Sequence, residues 1–135
     1  MPGSFELPVR VYWADTDAGV VVYHSNYLDY CERARTEWLR QLGFSQQRLV
    51  DEEGVLFTVA RLEIDFRRPA RLDDLLSVRT SATASGGATV EFVQEVWRAE
   101  PTSDLLATAR VRVACVDAAS FRPRRLPASI RERFA

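Results

Sequence analysis

Apolar residues recur along this chain in two rhythms, and the changes of rhythm mark its elements. From Phe5 to Ala14 they alternate: Val9, Val11 and Trp13 share one face against Arg10 and Tyr12, which predicts a strand. Asp15–Gly19 interrupts with turn formers, and Val20–Tyr23 is a short apolar run. The spacing then becomes helical. Tyr27, Tyr30, Cys31, Ala34, Trp38 and Leu42 form one stripe, while Asp29, Glu32, Arg33, Glu37 and Arg40 occupy the other faces. Ser25 or Asn26 is placed to cap its start, and Gly43 stands where a glycine ends a helix. The pattern predicts a helix from Asn26 to Leu42, followed by a weaker helical turn over Gln46–Glu52.

Alternation returns in four stretches. Leu56–Phe66 places Leu56, Ala60, Leu62, Ile64 and Phe66 on one face, opposite Arg61, Glu63 and Asp65. Leu75–Ala84 alternates through Leu76, Val78 and Ala82, and Ala88–Arg98 through Val90, Phe92 and Val96. Leu105–Val116 alternates through Ala107, Ala109, Val111, Val113 and Cys115, opposite Arg110 and Arg112. Ser85-Gly86-Gly87 and Glu100–Asp104 are turn signals. Phe121–Ala135 is rich in Arg and Pro and reads as a turn plus a ragged helix. Short turns make neighbouring strands antiparallel, and a helix with one apolar stripe must cover one sheet face. The expected fold class is therefore α+β: a curved five-stranded antiparallel sheet packed on one long central helix.

A length of 135 residues suits one domain, residues 1–135, with no disulfide or metal needed to fold it. Net charge is −1, which excludes bulk electrostatic attraction to nucleic acid. Neither a signal peptide nor a membrane-spanning apolar run is read, so the expected location is the cytoplasm, with no membrane insertion. One His makes a His-based metal site untenable, and no cofactor is expected. Cys31 and Cys115 read as packed thiols. All 18 basic residues are Arg; clusters of them matter here only as candidate phosphate contacts.

The acidic turn and the helix after it carry the chemistry. Asp15-Thr-Asp17-Ala-Gly19, Val21-Val22-Tyr23-His24, Tyr27 and Glu32-Arg33-Ala34-Arg35-Thr36-Glu37 resemble the 4-hydroxybenzoyl-CoA thioesterase family of hot-dog proteins. The likeness is to its acyl-CoA thioesterase branch associated with the bacterial Tol-Pal envelope system. Glu63–Phe66, Arg68–Asp74, Gly86–Ala88 and Arg112–Asp117 are similar to that branch as well. Two departures stand out. Val20 follows Gly19 where the family often has a second Gly, and Ser85–Ala88 lacks the basic residues of the aromatic-acid members.

The resemblance implies a hot-dog fold and hydrolysis of acyl-CoA to free acid and coenzyme A. Asp17 is then nucleophile or general base, and backbone N–H groups near Tyr23 and His24 form an oxyanion hole. It further implies Val22, Asn26, Thr58, Val59, Arg122 and Arg124 as substrate-binding residues. It points to a homodimer or homotetramer, with residues around Phe57–Ala60 of a second copy facing Asp17. Spacing alone leaves Asp17 open between catalyst and turn former, and Asp15 reads as structural. Glu32 and Glu37 read as surface groups or as partners of Arg33, Arg35 or Arg40. For coenzyme A phosphates the candidates are Arg67, Arg68 and Arg71, or Arg122, Arg124 and Arg125. Two other functions fit the same residues: a thioesterase acting on acyl carrier protein, and a non-catalytic hot-dog interaction module in envelope assembly.

Overall fold

In the computed structural model, which describes residues 3–134, five strands form a single sheet. They are β1 (Ser4–Arg10), β2 (Val55–Phe66), β3 (Leu75–Ser85), β4 (Thr89–Glu100) and β5 (Asp104–Asp117). The order across the sheet is β1-β3-β4-β5-β2, and every neighbouring pair is antiparallel. Two helices, α1 (His24–Gln41) and α2 (Gln46–Glu53), lie between β1 and β2 in the chain, and α3 (Ala128–Arg133) follows β5. The first two strands thus end on opposite edges of the sheet. Where the pattern predicted one long helix and a weaker turn, two helices of 18 and 8 residues form.

The inward rows of the central strands are buried: Leu76 and Val78 on β3, Val90, Phe92 and Val96 on β4, Val111 and Cys115 on β5. They meet Tyr27, Tyr30, Cys31, Ala34 and Trp38, the predicted stripe of α1, all of them buried. Alternation thus supplied the core correctly across the middle of the sheet. Both cysteines are free and buried, and burial raises the Cys31 thiol to about 11. No described helix is long and apolar enough to cross a membrane.

Corrections fall where strands bend or end. β1 stops at Arg10, and Trp13–Asp15 forms a 3-10 turn closed by the Tyr12 N–H on Asp15 Oδ2 at 2.9 Å. Trp13, expected to share the buried face of Val9 and Val11, is 77% exposed. On β2 the register with β5 shifts between Val59 and Arg61. Val55 and Phe57 pack on the core before this bulge, and Leu62 and Ile64 after it, so the inward row changes parity at Ala60. A second shift lies between Val96 and Trp97 of β4: Val96 pairs with Ala107 but Trp97 with Leu105, leaving Leu106 as the extra residue. Leu106 and Ala107 are consequently both buried.

The helix ends follow local chemistry. Gly43 takes a positive φ of 96°, and the Phe44 N–H reaches back to the Leu39 carbonyl at 2.9 Å, closing α1 as predicted. Ser45 caps α2 by accepting the Arg48 N–H at 3.1 Å. The segment after β5 is more ordered in role than its Arg/Pro composition suggested. Leu126, Ile130 and Phe134 are buried, and the Phe134 ring lies 5.1 Å from Trp38 and 6.2 Å from Phe92.

Candidate active site

Asp17 lies in a tight hairpin. Its N–H donates to the Val21 carbonyl at 2.9 Å, its carbonyl accepts the Val20 N–H at 3.0 Å, and Thr16 pairs with Val22. This closure needs a left-handed residue at its fourth position, and Val20 supplies it with φ 61°. The Asp17 side chain is exposed, and Oδ1 accepts the Gly19 N–H at 2.8 Å. The carboxylate is oriented by its own loop rather than by burial.

The loop rests on a frame built by the Arg68–Asp74 segment. The Val22 N–H donates to the Ala70 carbonyl at 2.9 Å, and Val21 bridges to Arg71. The Ala70 N–H donates to the buried Tyr27 hydroxyl at 2.9 Å, tying the frame to α1. Asp74 Oδ2 accepts both the Arg71 N–H at 2.9 Å and Arg98 Nη1 at 2.8 Å. Arg98 also grips Asp104 with two hydrogen bonds, of 3.0 and 2.7 Å, and Nη1 reaches the Pro69 carbonyl at 3.1 Å. Contact with Arg98 first, and then with Thr102, holds the Asp104 carboxyl down at about 2. The β2 end of the frame hangs on the β5 bulge, because the Leu106 carbonyl accepts the N–H groups of Arg67 and Arg68 at 2.8 and 3.2 Å.

Next to the hairpin is the start of α1. The helix begins at His24, with Tyr23 as its cap residue and no side-chain cap. Neither Ser25 nor Asn26 caps it. Asn26 instead donates through Nδ2 to the Asp15 carbonyl at 2.6 Å. The Tyr23 N–H donates to that same carbonyl at 3.0 Å, so it is already engaged. Among the described residues no acceptor faces the N–H groups of His24 and Ser25, the first two of the helix. Asp15 is the structural hub of the turn, as its position predicted. The His24 ring is exposed, lies 4.3 Å from the Tyr23 ring, and borders a shallow groove with Val22, Tyr27, Phe66, Arg67 and Arg68.

Thr58 and Val59 line a different space. A cavity of about 120 Å³ lies between α1 and the sheet, with Arg35, Phe57, Phe92 and Phe134 among its walls. Asp17, Tyr23 and His24 are not among its lining residues, so one chain keeps the carboxylate and the β2 residues apart. The C-terminal basic cluster joins neither space. Arg124 pairs with Asp117 at 2.8 Å and reaches the Glu53 carbonyl at 3.4 Å, while Arg122 is exposed. Of the proposed phosphate contacts, Arg67 and Arg68 are the ones that border the His24 groove.

Two residues of interest escaped the sequence reading. Gln94 is fully buried in the inward row of β4, and Arg35, read as a surface pairing partner, is half-buried in the cavity. The signal was present. Gln94 falls in the alternation of Val90, Phe92 and Val96, and Arg35 is one helical turn beyond Cys31 on the apolar stripe.

Comparison with known proteins adds to this geometry. The sequence pattern of the thioesterase-like superfamily matches residues 11–134. A protein of Haemophilus influenzae, "Acyl-CoA thioesterase YbgC", is 46% identical over 134 residues, covering 99% of this chain and 96% of its own. The crystal structure of a probable thioesterase from Bartonella henselae superposes with a TM-score of 0.85 at 39% identity, covering 92% of this chain and 99% of that one. The 4-hydroxybenzoyl-CoA thioesterase of Pseudomonas sp. strain CBS-3 shares the fold, with a TM-score of 0.90 at 20% identity over 97% of this chain and 99% of its own.

Proposed function

The chain belongs to the thioesterase-like superfamily and hydrolyses acyl-CoA thioesters, and on that footing we propose that Asp17 and the first turn of α1 are its catalytic machinery. The observation that carries this is the pairing, on one short hairpin, of an exposed oriented carboxylate with helix-start N–H groups that have no acceptor among the described residues. Such donors stabilise the negative charge that develops on a thioester carbonyl oxygen, by about 3–4 kcal/mol for one well-placed group. The His24 N–H, with that of Ser25 beside it, takes this role, since the Tyr23 N–H is spent on Asp15. The His24 side chain is secondary.

Asp17 acts in one of two ways. As nucleophile, its carboxylate oxygen bonds to the acyl carbon, the C–S bond breaks, and coenzyme A leaves as thiolate; water then cleaves the mixed anhydride. As general base, it takes a proton from water whose oxygen attacks the acyl carbon, and the same thiolate leaves and is protonated. Each route consumes one water per thioester.

The cavity lined by Thr58 and Val59 takes the acyl group, and Val22 and Asn26 shape the approach to the hairpin. The separation of Asp17 from Thr58 and Val59 within one chain supports a homodimer in which β2, an open sheet edge, pairs with its copy and brings them together. Arg67 and Arg68 are better placed than Arg122 and Arg124 to meet coenzyme A phosphates. Within the superfamily, the residue 12–37 motif supports membership of the 4-hydroxybenzoyl-CoA thioesterase family, in its Tol-Pal-associated branch. The deciding experiment is thiol release from acyl-CoA by Asp17→Asn. We expect kcat to fall by about 10³-fold with an unchanged melting profile; hydrolysis at the wild-type rate would reassign the catalyst.

A further inference from the structure

The acyl cavity has one feature that a simple hydrocarbon pocket does not need. Arg35 projects into it from α1, half-buried, and its guanidinium carbon lies 6.0 Å from the centroid of the Phe92 ring. Its Nη1 donates to Gln94 Oε1 at 2.9 Å. Gln94 is itself fully buried, and its Nε2 donates to the Cys31 carbonyl at 2.9 Å and to Thr80 Oγ1 at 3.0 Å. The guanidinium is thus aimed by a fixed, buried chain of polar groups. Among the described residues no carboxylate lies within ion-pair distance of it, and Gln94 Oε1 is the one acceptor it has. Glu32, one turn earlier on α1, lines the same cavity without pairing.

Partly withdrawing a charge from water is costly unless it is paired, and burial lowers the Arg35 pKa, an effect that the nearby Cys31 and Glu32 offset only in part. An apolar side chain would fill this site at less cost. The remaining N–H donors have the fork geometry that matches an oxygen-bearing group. The volume, about 120 Å³, is near that of cavities that hold a single six-membered ring, so the occupant is small.

We propose that Arg35 reads the far end of the acyl group, and that the preferred substrates are short acyl-CoAs bearing a distal oxygen acceptor, a carboxylate or a hydroxyl. This deepens the reading of the cavity as the acyl site and rests on it. Gln94 is the positioning residue behind Arg35.

The test compares succinyl-CoA, 4-hydroxybutyryl-CoA and pentanoyl-CoA as substrates of the full-length wild type, Arg35→Met and Arg35→Lys. The readout is the ratio of kcat/KM for each oxygenated ester to that for pentanoyl-CoA, which is independent of the folded fraction. In wild type at least one ratio is expected to exceed about 10, and Arg35→Met is expected to lower it by about tenfold or more. The arm that exceeds it identifies the carboxylate or the hydroxyl. Arg35→Lys, which keeps the cation, should retain part of a carboxylate preference. A wild type that favours pentanoyl-CoA, or a ratio that Arg35→Met leaves within about threefold, overturns the proposal. Dissociation constants of the matching thioether analogues, which have no scissile bond, report the same preference whichever group hydrolyses the thioester. An active Asp17→Asn enzyme would therefore unseat the catalyst and leave this ratio standing.

Discussion

Val20 is the residue on which the hairpin turns, and it is an unfavourable one. A β-branched side chain at φ 61° meets its own backbone, where glycine would not. The side chain is exposed, so no packing offsets the strain. Val20→Gly is expected to raise stability by about 1 kcal/mol, read as a higher denaturant midpoint at unchanged slope. A lower midpoint would mean that Val20 makes a contact in the assembly that outweighs its backbone cost. Asp17, three residues earlier, was singled out in the sequence by the family resemblance, since spacing alone left it open between catalyst and turn former. The resemblance named the N–H groups near Tyr23 and His24 together, and which of the two is free follows only from whether a distant carbonyl, that of Asp15, has claimed the N–H. Hydrogen-bond ownership of that kind has no signature in a linear pattern.

At the scale of elements, the sheet was legible wherever strands run straight. Alternation named the inward rows of β3 and β4, and helical spacing named the buried face of α1. It failed at the β2 bulge and at the end of β1, and on β5, where the predicted inward row from Ala107 to Cys115 is buried, it missed only the extra buried residue, Leu106. A bulge inserts one residue and reverses which parity faces the core, as happens at Ala60 and at Leu106. Next to the β5 bulge, the clamp around Arg98 links the β4–β5 turn to the frame under the Asp17 hairpin. The Asp104 carboxyl is held at about 2 in the folded chain against 3.8 ordinarily. Its folded pKa is depressed, so its contribution is present above the ordinary value and is lost as pH falls through about 4 toward about 2, where the unfolded chain takes up the proton first. Denaturation midpoints of wild type and Asp104→Asn should therefore differ at pH 6, differ less by about pH 3 and converge only at about pH 2 and below; a constant difference across that range would contradict the clamp.

At the scale of the molecule, the two parts of the proposed site do not meet within one chain. Asp17 and the α1 start occupy one region, and Thr58, Val59 and the cavity occupy another. A dimer through the β2 edge gives a quantitative expectation. Asp17→Asn and a variant with a blocked β2 wall, such as Val59→Arg, should each be inactive alone. Unfolded together and refolded as a mixture, they form hybrids in which one of two sites is intact, recovering about a quarter of wild-type activity. No recovery, from a mixture that does form dimers, would place all of the site within one chain. In the sequence this arrangement was legible only through the family resemblance, which implied Phe57–Ala60 of a second copy facing Asp17; periodicity alone does not give it, because an open strand edge is a property of the closed fold and not of any residue in it.

Ile130 and Phe134 wall the cavity from a segment that belongs to no strand, and Phe134 also joins the cluster of Trp38 and Phe92. If the cavity is the acyl site proposed above, α3 and its flank supply one of its walls, the others coming from α1 and the sheet, and that wall lies apart from Asp17 and the start of α1. On that reading a lineage, or an engineer, can exchange residues at Ile130 and Phe134 to admit a longer or bulkier acyl group without reopening any strand pairing or moving the Asp17 hairpin.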